Sequence, residues 1–226
     1  MKVIGINGSP RKKWNTATLL TNALDGAAST GADTELVHIY DLDFKGCISC
    51  FACKTIDNPN KGKCAVKDDL SPLLNKIENE ADAIILGSPI YFGSMTGEMR
   101  SFMERLLFAP LVYTKPPQSV FPRKIKTGAI YTMNVSEEMA AECGYPPMFN
   151  ATEASLRMVL GSAETFCCYD TLQFQDYSKV VMEYMDPAKK AERREKVFPD
   201  DCRKAFEFGC RLASKQLSMS NRLLAT

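Results

Sequence analysis

The first eighteen residues predict a β-strand, a short polar loop and the start of an α-helix. The strand covers residues 2–6 (KVIGI), the loop covers residues 7–11 (NGSPR), and the helix begins at residues 15–18 (NTAT). A helix that starts so soon after a strand directs its unpaired backbone N–H groups, and the positive end of its dipole, at the loop. The sequence therefore predicts an anion-binding site in the first βα unit of the fold.

The residues of this loop narrow the choice of anion. Hydroxyl and amide groups are present at Ser9, Asn15, Thr16 and Thr18. The lysine of the GxxxxGK[ST] loop that binds nucleoside triphosphates is absent, and so is the GxGxxG spacing of dinucleotide-binding folds. Because several neutral donors suit a terminal phosphate monoester, the loop favours FMN over ATP or NAD.

Strand and helix patterns alternate along the rest of the chain. Apolar runs predict strands at residues 3–7, 34–40, 83–87, 127–133 and 164–170, and amphipathic stretches predict helices at residues 16–29, 71–80, 95–107 and 151–160. This alternation implies right-handed βαβ crossovers. We therefore expect an α/β fold, with a doubly wound parallel sheet of five strands in the order 2-1-3-4-5. The first and third strands then flank the ligand-binding crevice.

Length and composition are those of a single globular domain. The chain has 226 residues, of which 45% are apolar, and a net charge of +1. We expect one domain over residues 1–226, with a helical C-terminal extension from about residue 180. The near-zero charge offers no electrostatic footprint for nucleic acid or an anionic membrane. Nine cysteines, an odd number, argue against a secreted disulfide framework, and no signal-peptide pattern is evident, so we expect a cytoplasmic protein.

A second motif follows the predicted third strand, at residues 87–97 (GSPIYFGSMTG). Its glycines and proline predict a tight turn, and Tyr91 and Phe92 can place an aromatic face beside a planar ligand. Taken alone, these two aromatic residues are better explained by core packing. In the predicted sheet order, however, this loop is a neighbour of the first loop, so the two together predict one site that holds a phosphate and a ring system.

At these motifs the chain resembles a known family. Residues 5–20 (GINGSPRKKWNTATLL), 87–106 (GSPIYFGSMTGEMRSFMERL) and 130–134 (IYTMN) are similar to the FMN-contacting segments of the flavodoxin-like NAD(P)H-dependent FMN reductases. That group includes the Trp-repressor-binding-protein-like quinone reductases and the iron-sulfur flavoproteins. The resemblance covers roughly residues 1–170. It implies that FMN contacts Ser9, Arg11, Asn15, Thr16 and Ala17 through its phosphate, Pro89, Ile90, Tyr91, Phe92, Gly93 and Ser94 through its ribityl chain and ring, and Thr132, Met133 and Asn134 on the other side.

The resemblance also implies the chemistry. In this family a reduced nicotinamide, NADH or NADPH, passes a hydride to FMN, which then reduces a quinone, another small acceptor or a protein carrier. Because the flavin carries out this chemistry, no side chain need act as a general acid or base, and the catalytic residues stay unassigned. Tyr91 and the polar groups of residues 134–150 are the first candidates. Relatives form homodimers or homotetramers, and we expect the same here. Trp14 departs from the family pattern, since relatives usually carry a small residue at that position.

Four cysteines stand close together in the sequence, at Cys47, Cys50, Cys53 and Cys64. Three cysteines spaced by two residues can wrap a cubane cluster, and a fourth thiolate would complete a [4Fe-4S] site. The iron-sulfur flavoproteins carry a similar CxxCxxC motif, although their fourth cysteine follows more closely than it does here. Cluster-free relatives keep similar cysteines, so a redox-sensitive dithiol, packed thiols or, less typically, a zinc site are alternatives.

Three further features are less specific. The connections at residues 109–126 and 134–150 are long and contain several prolines, so they are predicted to be functional loops or surface elaborations. The basic run at residues 189–194 is interleaved with glutamate and predicts a solvated helical face. His38 is the single histidine and lies inside the predicted second strand, where we expect a structural role.

Overall fold

A computed structural model describes residues 1–214, and its centre is a parallel β-sheet. The main strands are β1 (Lys2–Asn7), β2 (Asp33–His38), β3 (Ala83–Tyr91), β4 (Ile125–Thr132) and β5 (Gly161–Cys168). They lie in the order β2-β1-β3-β4-β5, and each neighbouring pair is parallel. The predicted α/β fold with a doubly wound sheet of order 2-1-3-4-5 is confirmed.

Helices cover both faces of the sheet. Within residues 1–214 they are α1 (Asn15–Ser29), α2 (Leu70–Asn79), α3 (Gly97–Phe108), α4 (Glu137–Glu142), α5 (Tyr145–Leu160), α6 (Pro187–Lys196) and α7 (Phe198–Ala213). Helices α1 and α7 pack on one face, and α2, α3 and α5 pack on the other. No helix of the described residues has the length and apolar character needed to cross a membrane.

The central strands are buried on both sides because each face of the sheet carries a helical layer. Val3 and Ile85 belong to the core beneath α1 and α7, whereas Ile4 and Ile84 belong to the core beneath α2, α3 and α5. None of the four has exposed surface. Near-continuous runs of β-branched residues are typical of such doubly covered parallel strands. The polar residues that follow these runs lie at the edge of the sheet.

Helices α1 and α7 approach each other closely at two glycines. A Cβ atom on Gly209 would lie 1.7 Å from the carbonyl oxygen of Ala23, and a Cβ atom on Gly26 would lie 2.0 Å from that of Phe206. Turning a side chain cannot relieve either overlap, because the obstructing atoms belong to the backbone. Glycine at both positions is therefore what allows the C-terminal helix to pack against α1.

The two long connections contain more secondary structure than the sequence predicts. Residues 134–150 include α4 and the beginning of α5, which starts at Tyr145 rather than at residue 151. Pro146 and Pro147 suggest a loop, but proline is tolerated in the first turn of a helix, where its missing N–H has no helical partner. Residues 109–126 include a short hairpin between Leu111–Val112 and Gln118–Ser119.

The basic run on α6 is not the solvated face that the sequence predicts. Lys190 is only 4% exposed, and its ammonium group donates hydrogen bonds to the carboxylate of Asp170 and the carbonyl of Asn134. Arg193 pairs with Asp201 at 2.7 Å. The prediction is wrong for Lys190 and Arg193 because their partners come from other elements of the fold, which local charge alternation does not reveal.

We predict that Gly209→Ala lowers the stability of the protein, although alanine favours a helix over glycine by roughly 1 kcal/mol. The added methyl group would force α7 away from α1, and overpacking of this kind lowers the free energy of unfolding by about 1–3 kcal/mol. Urea-induced unfolding followed by far-UV circular dichroism measures the change. Gly97→Ala is the control, since nothing lies within 4 Å of a Cβ atom there. Equal stability of the two variants would contradict the proposed close packing.

Candidate functional site

A crevice, here called the edge crevice, opens at the C-terminal edge of the sheet beside the ends of β1, β3 and β4. It has a volume of about 240 Å³ and is lined by Ser9, Arg11, Trp14, Asn15, Thr16, Pro89, Ile90, Tyr91, Thr132, Met133, Asn134, Val135, Tyr145, Thr171, Gln173 and Tyr184. This is the topological switch point at which doubly wound sheets bind ligands. Most of the residues that the family resemblance assigns to FMN meet here.

Four of those residues do not line the edge crevice. Ala17 is buried in the first turn of α1. Phe92 and Gly93 form the tip of a two-residue hairpin, in which the end of β3 pairs with Ser94–Met95. Both tip residues have positive φ, 50° and 75°, as a type I′ turn requires. This turn leaves the ring of Phe92 fully exposed, whereas Tyr91 is about half exposed and reaches the crevice.

A buried asparagine at the end of β1 shapes the first loop. The Oδ1 atom of Asn7 accepts a hydrogen bond from the backbone N–H of Ser9, and its Nδ2 atom donates to the carbonyl of the same residue, both at 3.2 Å. The same Nδ2 lies 2.8 Å from Nδ1 of His38 on β2. His38 therefore supports the first loop from the neighbouring strand β2, and it has the structural role that its position in that strand predicts.

The start of α1 is left without a cap. Trp14 occupies the N-cap position, where its side chain accepts no bond from the helix, and the first turn contains no acidic residue. Within residues 1–214, the backbone N–H groups of Asn15, Thr16 and Ala17 have no hydrogen-bond acceptor. Three free donors and the positive end of the helix dipole therefore face the loop, as an anion site requires.

The first loop is joined directly to the loop that follows β3. The N–H of Gly8 donates to the carbonyl of Gly87 at 2.8 Å, and the hydroxyl of Thr96 donates to the carbonyl of Gly8 at 2.8 Å. The Thr96 hydroxyl also caps α3 by accepting from the N–H of Met99. Gly8 allows this approach because a Cβ atom there would lie 2.8–2.9 Å from Met99. The two loops are spatial neighbours, as the sheet order predicts.

The end of β4 supplies the third wall. The hydroxyls of Thr132 and Thr16 are 2.7 Å apart and share a hydrogen bond. The Oδ1 atom of Asn134 is buried and has no hydrogen-bond partner among the described residues. A buried polar atom without a partner is unfavourable unless a ligand or water satisfies it. This wall of the crevice thus presents an acceptor that a bound molecule can use.

A segment after β5, residues 171–175, crosses the first loop and is called the strap below. The indole N–H of Trp14 and the side-chain amide of Asn15 both donate to the carbonyl of Leu172, at 3.0 and 2.8 Å. The guanidinium of Arg11 donates to the carbonyl of Gln173 at 2.6 Å. Sequence reasoning missed the strap, and the unusual Trp14 was the single signal that could have indicated it.

The residues of the edge crevice fit FMN. None of the described residues that line it is acidic, so nothing repels a phosphate. The free N–H groups of α1 suit the phosphate, and the unpaired Asn134 oxygen accepts hydrogen bonds of the kind that ribityl hydroxyls or a ring N–H donate.

The four clustered cysteines line a second, smaller cavity. Its volume is about 20 Å³, and its lining includes Cys47, Cys50, Cys53 and Cys64 together with Phe51. Cys53 is buried, which raises the pKa of its thiol, and Cys50 is exposed. Among the described residues no three metal-ligating side chains converge tightly enough to hold one metal ion. The donor set suits an iron-sulfur cluster, but the thiols would have to draw together around it.

A buried arginine braces the cysteine loop against α3. The Nε atom of Arg105 lies 2.9 Å from the sulfur of Cys64, and its terminal nitrogens donate to the carboxylate of Asp68 at 2.7 and 3.1 Å. A further bond reaches the carbonyl of Lys45. Arg105 is 2% exposed and holds the pKa of the Asp68 carboxyl below its usual range. Cys64 is therefore fixed in place by a residue outside the loop.

Comparison with known proteins agrees with the geometry of the crevice. Residues 1–143 match the family model described as NADPH-dependent FMN reductase. The chain is 33% identical to an iron-sulfur flavoprotein of Methanocaldococcus jannaschii, over 75% of this chain and 80% of that protein. It is 36% identical to an iron-sulfur flavoprotein of Archaeoglobus fulgidus, over 57% of this chain and 60% of that protein.

One solved structure of similar fold is an NAD(P)H:quinone oxidoreductase from Methanothermobacter marburgensis. It has a TM-score of 0.69 at 13% identity, over 94% of this chain and 98% of that one. At this level of identity the similarity concerns the fold, while the family match covers the first loop, the β3 loop and the end of β4. The chain belongs to the NADPH-dependent FMN reductase family and is an FMN-dependent oxidoreductase with a flavodoxin-like fold.

Proposed function

We propose that the protein passes electrons from NADH or NADPH, through FMN bound in the edge crevice, to a quinone or another small acceptor. The observation that carries this proposal is that one crevice contains both an uncapped helix start and a half-exposed tyrosine ring, and that none of the described residues lining it is acidic. The helix start suits a phosphate, and the ring of Tyr91 suits a planar ligand. The family match supports the same chemistry.

In this proposal each wall of the edge crevice contacts a different part of FMN. The phosphate would be held by Ser9, Arg11, Asn15 and Thr16, with the N–H of Ala17. The ribityl chain and ring would lie along Pro89, Ile90 and Tyr91, with the turn of Phe92, Gly93 and Ser94 just beyond this wall, and Thr132, Met133 and Asn134 would close the other side. Bound FMN supplies the redox chemistry, taking a hydride from the nicotinamide and delivering electrons to the acceptor.

The side chains of the crevice bind and orient rather than transfer protons. No histidine, aspartate or glutamate is among the described residues that line it, so we assign no catalytic acid or base. The apolar residues Pro89 and Ile90 on one side, and Met133 on the other, would exclude water from the ring system. Side chains that bind and orient are sufficient for a reaction in which the cofactor carries the electrons.

We propose in addition that the chain acts as one FMN-binding domain, in the cytoplasm, as a homodimer or homotetramer. The exposed ring of Phe92 and the half-exposed ring of Tyr91 support assembly, because a second subunit could cover both beside the crevice. The nine free cysteines support a reducing compartment.

We predict that Ser9→Asp combined with Thr16→Asp abolishes FMN retention. Two carboxylates beside the free N–H groups of α1 would repel the phosphate and occupy its donors. The measurement is the ratio of flavin to protein by absorbance after gel filtration. Thr21→Asp adds a carboxylate to the exposed face of the same helix and is the control. Far-UV circular dichroism separates lost binding from lost folding, and unchanged flavin content would contradict the assignment.

A second candidate function is electron relay through a [4Fe-4S] cluster held by Cys47, Cys50, Cys53 and Cys64. Two observations favour it: all four cysteines line one cavity, and the two curated relatives described above are named iron-sulfur flavoproteins. In this proposal the four cysteines would hold a cluster that supplies single-electron transfer to or from FMN, and the acceptor would be a protein carrier. The ten-residue spacer before Cys64 does not oppose it, since a longer loop adds little closure entropy.

We predict that Cys50→Ser removes iron and leaves FMN bound, if this second function is correct. Iron and acid-labile sulfide are measured in anaerobically purified protein, with zinc measured in the same samples. Cys143→Ser is the control, because that cysteine is also exposed but lies outside the loop. Wild-type protein with full FMN and no iron would rule out the cluster and leave the first function standing.

A further inference from the structure

The basic residues of α6 differ in what neutralises their charge. Lys190 contacts the carboxylate of Asp170, and Arg193 contacts that of Asp201. Arg194, the next residue, has no carboxylate within 4.0 Å among residues 1–214. Two ion pairs thus fix α6 in position. The guanidinium of Arg194 on the same helix has no carboxylate partner among the described residues.

Arg194 lies against the start of α1. Its guanidinium stacks on the ring of Phe198 at 3.9 Å and donates a hydrogen bond to Oδ1 of Asn15 at 2.7 Å. Asn15 is the first residue of the uncapped helix, and it lines the edge crevice. The contact joins residues that are 179 positions apart, so the C-terminal extension contributes directly to the phosphate end of the site.

A second arginine at the same place also lacks a carboxylate. The guanidinium of Arg11 stacks on the ring of Trp14 at 3.9 Å, and that of Arg194 lies 5.8 Å from the same ring. Within the described part of the chain, no carboxylate lies within 4.0 Å of Arg11, whereas its neighbour Lys12 pairs with Asp41. The guanidinium groups of Arg11 and Arg194 therefore both lie beside the Trp14 ring, at the start of α1.

Without a ligand this arrangement is electrostatically unfavourable. The N-terminal end of a helix carries partial positive charge, so cations there destabilise it. The first turn of α1 contains no acidic residue to offset them, and partial burial lowers the pKa of Arg194 because its charge is less well solvated. A bound dianion would neutralise the helix start and both arginines together, as phosphate sites built from arginine do.

We propose that Arg194, together with Arg11, supplies the charge by which the edge crevice selects the phosphorylated flavin, FMN, over riboflavin. This inference rests on the proposed function. Arg194 lies outside residues 1–143, the part of the chain that matches the family model. In this proposal it is a specificity-determining residue that reaches the first loop from the C-terminal extension.

A purely structural role for Arg194 makes a different prediction. If its bond to Asn15 only ties α6 to α1, its removal loosens the crevice for any flavin and destabilises the protein without ligand. If its charge serves the phosphate, its removal weakens FMN binding, leaves riboflavin binding unchanged and does not destabilise the ligand-free protein. The ratio of the two flavin affinities separates these roles.

The experiment compares wild type, Arg194→Gln and Arg194→Lys in the full-length protein depleted of flavin. Dissociation constants for FMN and riboflavin are measured by flavin fluorescence, at low and high salt, and thermal unfolding is followed with and without FMN. Lys189→Gln, which removes an exposed charge from the same helix, is the control. The loss of a charged hydrogen-bond donor predicts a roughly tenfold to hundredfold weaker affinity for FMN in Arg194→Gln.

We expect unchanged riboflavin affinity in Arg194→Gln, partial recovery of FMN affinity in Arg194→Lys, and a smaller effect of salt on the Arg194→Gln protein. Equal weakening of both flavins, unchanged FMN affinity, or a lower unfolding temperature of ligand-free Arg194→Gln would overturn the proposal. A wild type that binds no FMN would instead overturn the proposed function, so the two failures are distinguishable.

Discussion

The free N–H groups at the start of α1 are the constraint around which the ligand-binding edge is built. A helix start without a capping side chain is less stable by about 1 kcal/mol, and here the N-cap position is Trp14. The loop keeps its shape through other contacts, the hydrogen bonds of buried Asn7 and the link between Gly8 and Thr96. The donors of α1 are thus left available, while neighbouring strands supply the stability that the cap would have added.

Trp14 connects this helix start to the far end of the chain. A side chain that cannot cap α1 instead donates to the strap at Leu172. The strap leads to α6, which ion pairs of Lys190 and Arg193 hold against the sheet edge. Packing of α7 on α1 at Gly209 fixes the same region from the other side. The first and last elements of the described chain therefore act together at one crevice, although only the first carries a recognisable motif.

Local patterns were sufficient for the strands, the sheet order and most of the crevice. Ser9, Asn15 and Thr16 line the crevice, as their place in a polar loop between a strand and a helix predicts. Patterns failed where the partner is remote: the basic residues of α6 resemble a solvated face until Asp170 and Asp201 are placed beside them. They also failed for α5, because prolines that end a helix in its interior are accepted in its first turn. For the cysteines, spacing indicated a shared location, and Arg105, which holds Cys64, could be found only in three dimensions.

By itself the sequence determined the doubly wound fold, the helix start that follows the polar first loop, and the pairing of that loop with the aromatic loop after β3. These follow from hydrophobic periodicity and from the fixed geometry of a strand that leads into a helix, which are properties of neighbouring residues. Only the tertiary structure decided which charges are neutralised and which are not. Whether a charge is neutralised depends on the residues that surround it. For Arg194 these are Phe198 and the start of α1, which is almost the whole chain away in sequence. Sequence spacing carries no information about that encounter, because it depends on how α6 and α7 pack against the sheet edge and α1.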